Sequence, residues 1–177
     1  MVASELGFSS HVMNYQYFNI DRNIKIIHQL HIARLHLYHL RQLAEEYPTQ
    51  EICGLIGGTF GNDGIVFASA IYPIQNVAKN PKVAFRLDER QQIKALYEIM
   101  SMGLELVGIF HSHPFGPSRP SESDLRLCAY PQVVNCIIFP LQEDDVLLMP
   151  NCYQVEKMII GAWQFVGTAH PVTLVAC

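Results

Sequence analysis

The stretch Val107-Gly108-Ile109-Phe110-His111-Ser112-His113-Pro114, continued to Leu125, constrains this chain more than any other. It opens as an apolar run of strand type, passes two histidines one residue apart, crosses a loop punctuated by Pro and Gly, and re-enters helix at Ser121. In an extended chain residues i and i+2 point to the same side, so His111 and His113 can aim both imidazoles at one point. Ser121 reads as the N-cap of a helix running through Leu125 to about Tyr130, which puts Asp124 in its first turn. Two imidazoles and one carboxylate give a tetrahedral zinc ion three ligands and leave the fourth position for water, as a hydrolytic rather than a structural site requires. Either half alone is weak, since His-x-His is common and Ser-x-x-Asp is also an ordinary capping box. Their coincidence behind an apolar strand carries the reading of one zinc per chain.

The segment resembles the signature of the JAMM, or MPN-plus, metalloproteases of the JAB-domain group: a distant Glu, His-x-His-Pro, a spacer, and Ser-x-x-Asp. The distant Glu is matched by Glu51, in Pro48-Thr49-Gln50-Glu51-Ile52-Cys53-Gly54-Leu55-Ile56-Gly57-Gly58, and the resemblance covers roughly residues 30–166. It implies a JAB/MPN, cytidine-deaminase-like fold, with zinc on His111, His113 and Asp124. It also implies that Glu51 takes the proton of the attacking water and returns it to the departing amine, and that Ser121 donates to the tetrahedral oxyanion. Ser112, between the histidines, is expected to point away from the metal. Members of the family cleave peptide or isopeptide bonds after the C-terminal tails of ubiquitin or ubiquitin-like proteins. The loop between His111 and Asp124, with its Gly-Pro and Arg-Pro-Ser, looks most like that of prokaryotic minimal-domain members, some of which act on ubiquitin-like sulfur carriers. A non-catalytic MPN scaffold is the first alternative, although such relatives usually lack the ligands that are all present here. A DNA-repair-associated relative is the second, against which stands the absence of an added module and of basic surface composition.

Composition agrees with a single soluble domain. Half of the 177 residues are hydrophobic, enough for a sizeable core, and the net charge of −4 gives no basic footprint for nucleic acid. The first basic residue is Arg22, so the start does not read as a secretory signal, and no apolar run approaches the ~20 residues of a membrane helix. A cytoplasmic protein is expected. Five cysteines, an odd number without a Cys-x-x-Cys pair, argue against a disulfide framework or a zinc ribbon.

Along the chain, residues 1–23 lack periodicity and read as a poorly ordered extension before a domain over 24–177. Residues 24–32 suggest a strand, and Leu35, Leu37, Leu40, Leu43 and Ala44 a helix that ends near Pro48. His28, His31, His36 and His39 are not patterned with Cys or carboxylates, so no second metal site is assigned to them. Residues 52–56 and 65–72 read as a hairpin joined through Gly57, Gly58, Gly61, Asn62, Asp63 and Gly64. Residues 83–87 suggest a short strand. Asp88 caps a helix over 89–102, with Ile93, Leu96, Tyr97 and Met100 as its apolar face. Strands follow over 104–110, 133–139, 145–149, 153–159, 162–166 and 172–176. Strands and helices so arranged predict an α/β fold, a mixed β-sheet flanked by helices.

Overall fold

A computed structural model describes residues 24–141 and 150–177. Expectations for residues 1–23 and 145–149 lie outside the described residues.

A short strand, β1 (Gln29–Ile32), leads into helix α1 (Arg34–Glu46), followed by the hairpin β2 (Cys53–Phe60) and β3 (Ile65–Ile74). A long loop then reaches α2 (Glu89–Ser101), β4 (Glu105–Ser112), the short α3 (Glu122–Arg126) and β5 (Val134–Pro140). The chain closes with β6 (Cys152–Val155), β7 (Met158–Val166), β8 (Thr168–Pro171) and β9 (Thr173–Ala176). The strands form one mixed sheet in the order β6-β7-β5-β4-β2-β3-β1-β9, with β8 paired to β7. β4 and β5 run parallel, as a strand-helix-strand crossover requires, while β2 is antiparallel to both β3 and β4. Among the described residues no helix is long and apolar enough to cross a membrane.

The two faces of the sheet are covered differently. Leu37, Leu40 and Ala44 of α1 pack with Ile56, Phe110, Cys136 and Ile138 on one face. On the other, Ala95 and Ile99 of α2 pack with Leu55 and Ile109, and Leu125 of α3 packs against Ile137 and Phe139. The central strands β4 and β5, buried on both faces, accordingly read as near-continuous apolar runs.

Several expectations are corrected. Gly57 and Gly58 belong to β2, at an irregularity in its pairing, and the turn is confined to 61–64. A Cβ at Gly58 would lie 2.0 Å from the carbonyl oxygen of Phe67, so glycine there permits two strands to approach rather than a turn to form. Residues 83–87 form no strand. They belong to the loop between β3 and α2, tied back by a single bridge between Asn76 and Leu87, and Val83 projects into solvent. The first strand is shorter than 24–32. The helix expected to reach Tyr130 stops at Arg126, ahead of Pro131, which disfavours helical backbone in the residue before it. The strand expected over 153–159 is split by a turn at Glu156, with φ 54°, and Met158–Val166 continues as one strand. β8 was not anticipated.

The apolar face of α2 is also rotated from the expected one. Ile99 is fully buried against β2 and Leu96 packs beside it as expected, whereas Ile93, at 56% exposure, Tyr97 and Met100 face solvent. The stripe that fits against the sheet is the one with small Ala95 and with Ile99 seated on Gly57, because close packing of a helix on glycine outweighs the larger but more distant side chains. Ile99→Ala is therefore expected to cost about 2–5 kcal/mol of stability and Ile93→Ala less than about 0.5 kcal/mol, a contrast read by urea unfolding.

Candidate metal centre

His111 is the penultimate residue of β4, and His113 follows it in extended backbone whose N–H still donates to the Ile138 carbonyl of β5. Their Nε2 atoms meet at 3.1 Å. Asp124, in the first turn of α3, turns back to complete the triangle, Oδ1 3.3 Å from His111 Nε2 and Oδ2 3.3 Å from His113 Nε2. Among the described residues these three are the one group of His, Cys, Asp or Glu whose ligand atoms converge closely enough to hold an ion. His36, by contrast, lies 3.1 Å from the Ser69 carbonyl through Nε2, and His31 from Gln29 at 3.0 Å.

The triangle fits a small dication. For N and O donors about 2.0–2.1 Å from a tetrahedral zinc, neighbouring donors lie about 3.3–3.4 Å apart, close to the three edges found here. The chemistry of the donors agrees. His113 Nδ1 donates to the Pro117 carbonyl at 2.9 Å, and since a carbonyl only accepts, the neutral ring must present the lone pair of Nε2 inward. It meets the lone pairs of a carboxylate, an arrangement that a cation relieves. His111 is stacked on Phe85, ring centroids 4.5 Å apart at 23°, and its Nδ1 has no hydrogen-bond partner among the described residues.

The charges are tuned by burial and by one another. Burial pushes the His111 imidazole down from its usual value, against the opposing pull of Asp124. Burial also opposes the charged form of His113, but hydrogen bonds to Asp124 and the Pro117 carbonyl outweigh it and raise this group. For Asp124 burial is likewise outweighed, by the two imidazoles and the Ser121 hydroxyl, which hold the carboxyl well below the usual range. Ser121 caps α3 in a reciprocal box: its Oγ accepts from the Asp124 N–H and donates to Asp124 Oδ2, and its own N–H donates to the same oxygen at 2.7 Å. The Ser121 hydroxyl and N–H thus orient the Asp124 carboxylate.

Glu51 precedes β2 in irregular backbone and is 6% exposed. The pairing of β2 with β4 sets Cys53 opposite His111, and this brings Glu51 to the histidines. Burial raises its carboxyl from 4.5 to about 7, with His113 lowering it and Asp124 raising it. Glu51 also borders a cleft of about 470 Å³ lined by Leu43, Tyr47, Gln75, Asn76 and Phe110. The sequence reading missed Phe85 and Pro117. Nothing local marks Phe85, whose partner is 26 positions away, whereas the Gly-Pro pair signalled a turn but not its carbonyl's target.

Ser121→Ala removes the cap and the bonds that orient Asp124. The expected cost is about 1 kcal/mol in urea unfolding and about 10- to 100-fold in zinc affinity by chelator competition, with Ser121→Thr retaining both. Glu51 makes a second prediction. Its carboxyl holds a proton up to about pH 7 in the folded chain but releases it near 4.5 when unfolded, so its contribution to metal-free stability is lost as pH rises through that window. Glu51→Gln escapes this loss. The metal-free variant should melt above metal-free wild type at pH 8 but not at pH 4, by on the order of 1 kcal/mol after discounting solvent screening at the cleft.

A family model of prokaryotic homologs of the JAB domain matches residues 34–151. The chain is 35% identical over 104 residues to a desampylase of Haloferax volcanii, covering 59% of this chain and 73% of that one. It is 31% identical over 90 residues to a probable TtuB-protein conjugate cleaving protease of Thermus thermophilus, covering 51% and 60%. It is 40% identical over 76 residues to a desampylase of Pyrococcus furiosus, covering 43% of this chain and half of that one. Among solved structures, one from Desulfitobacterium hafniense superimposes with a TM-score of 0.67 at 25% identity, covering 84% of this chain and 93% of its own. Another, from Salinibacter ruber, gives 0.55 at 25% identity, covering 82% and 90%. With the triad, its capping serine and the mixed sheet already in place, these matches place the chain in the family of prokaryotic JAB-domain proteins.

Proposed function

We propose that this protein is a zinc-dependent hydrolase that cuts the peptide or isopeptide bond following the C-terminal tail of a ubiquitin-like, sulfur-carrier-type protein. The observation that carries the reading is the convergence of His111, His113 and Asp124 on one point, with a buried carboxyl, Glu51, close enough for their charges to act on it. Relatives named as desampylases and as a probable TtuB-protein conjugate cleaving protease support the substrate class. The sheet with α1 on one face and α2 and α3 on the other supports the finer, cytidine-deaminase-like description of the fold. Free thiols at Cys53, Cys128, Cys136 and Cys177 support a reducing, cytoplasmic setting.

A zinc ion bound here supplies Lewis acidity and brings the pKa of its water towards ~7. His111, His113 and Asp124 would hold it, with the Pro117 carbonyl and Ser121 fixing the orientation of two of the three. Glu51 as carboxylate takes one proton from the attacking water, and as carboxylic acid it returns that proton to the amine nitrogen when the C–N bond breaks. A carboxyl whose pKa lies near the working pH suits both halves of that shuttle. Ser121 is proposed to turn its single hydroxyl proton from Asp124 Oδ2 to the developing oxyanion, a service worth about 3–4 kcal/mol at comparable sites.

Elemental analysis and cleavage assays on the same preparations test this. Wild type should carry about one zinc per chain and release a carrier from both a linear Gly-Gly extension and an isopeptide conjugate. His113→Ala should lose metal and cleavage together, and Glu51→Gln should keep the metal while kcat falls by about 10²- to 10⁴-fold. A zinc-loaded wild type that leaves both substrates uncut would sink the proposal.

A further inference from the structure

Glu51 lies in no regular element, since α1 has ended and β2 begins two residues later. A carboxyl on irregular backbone keeps a fixed position only if the peptide groups around it are tied down. All four backbone polar groups of Glu51 and Ile52 are. The Glu51 N–H donates to the Pro81 carbonyl at 2.6 Å, and the Glu51 carbonyl accepts from Asn76 Nδ2 at 2.9 Å. The Ile52 N–H donates to Ser112 Oγ at 3.0 Å, and the Ile52 carbonyl accepts from the Ser112 N–H at 3.0 Å.

Two side chains make this clamp. Asn76 uses its full hydrogen-bonding capacity on backbone: Nδ2 donates to the Glu51 and Ala84 carbonyls, and Oδ1 accepts from the Ala78 and Arg86 N–H groups. It thereby joins Glu51 to the loop whose Phe85 lies on the ring of His111. Ser112 is buried, and alternation along β4 turns it away from the histidines on either side of it. One short strand end therefore serves two tasks, His111 and His113 addressing the metal and Ser112, between them, holding the segment that carries the base.

We propose that Asn76 and Ser112 are positioning residues for Glu51, setting the distance between its carboxyl and the metal-ligand triangle. The proposal rests on Glu51 being the proton carrier. Displacement by about 1 Å can cost on the order of 100-fold in rate, so loss of either bond should act on kcat.

Amide hydrogen exchange on the metal-free full chain, paired with kinetics of the zinc-loaded protein on a linear Gly-Gly extension, tests it. Asn76→Asp keeps the acceptor for Ala78 and Arg86 but loses both donors. Ser112→Ala loses the acceptor for Ile52, and Ser112→Thr keeps it. In the first two variants the Glu51 and Ile52 amides should exchange at least ~10-fold faster while His113, bonded to the Ile138 carbonyl, keeps its protection. Zinc content should hold, kcat should fall about 10- to 100-fold, and KM should stay within about twofold. Ser112→Thr should restore both readouts, and in a Glu51→Gln background the substitutions should cost nothing further. Unchanged exchange at Glu51 and Ile52, loss of zinc, or an equal kcat loss in the Glu51→Gln background would each overturn the positioning role. If wild type cleaves nothing, the hydrolase reading falls and exchange alone decides the clamp. If it cleaves but exchange does not respond, the clamp falls and the hydrolase reading stands.

Discussion

The register of β2 against β4 is the constraint on which the site depends. Antiparallel pairing puts Cys53 opposite His111, so the two residues ahead of Cys53 arrive beside the histidines whatever their own conformational preferences. A one-residue slip would turn every side chain of β2 to the other face, and a two-residue slip would carry Glu51 about 7 Å along the strand. Steric contact resists both. A Cβ at Gly54 would lie 2.2 Å from the Tyr72 carbonyl oxygen, and one at Gly58 2.0 Å from that of Phe67, so the strands can only close where glycine stands. The same glycine-lined sheet lets Ile99 of α2 seat on Gly57, which decides the face that helix buries.

Electrostatics at the centre is frustrated by construction. Two imidazoles of one chemical type are pushed in opposite directions, His111 down by burial and His113 up by its bonds to Asp124 and Pro117. Glu51, deprived of water, holds its proton more tightly than an exposed carboxyl, while Asp124, also short of water, releases its own because imidazole and hydroxyl partners surround it. Such opposed environments separate the roles of the two carboxyls: the one that stays ionised suits a ligand, and the one that titrates near neutrality suits a proton carrier. A small dication answers the inward-facing lone pairs of the triangle in one step.

The loop between β3 and α2 contributes more than its irregular backbone suggests. Pro81 and Asn76 hold the main chain of Glu51, and Phe85 covers one face of His111, so segments distant in sequence close on the same few atoms. Gly116 does similar service on the other side of the triad. A Cβ there would lie 3.0 Å from the ring of His113, and the glycine therefore lets the loop fold down until the Pro117 carbonyl reaches Nδ1.

Taken by itself, the sequence determined the elements whose physics is local. Alternation along 104–113 put two imidazoles on one side of a strand, and Ser121 with Asp124 specified a capped first turn whatever surrounds it, which is why the candidate metal-binding group was legible before any fold was known. Burial on both faces made the central strands readable as apolar runs. Tertiary structure decided what depends on partners far along the chain. The apolar spacing of α2 pointed to Ile93, Leu96, Tyr97 and Met100, and contact with Gly57 instead buries Ala95 and Ile99, with Leu96 alone of the expected four packed beside them. Residues 83–87 have strand-like composition but bond back to Asn76 and Val77 rather than to a sheet. The position of Glu51 belongs to this second class. A single carboxylate at the end of a helix carries no pattern of its own, and strand register, Asn76 and Ser112 together bring it to the metal ligands.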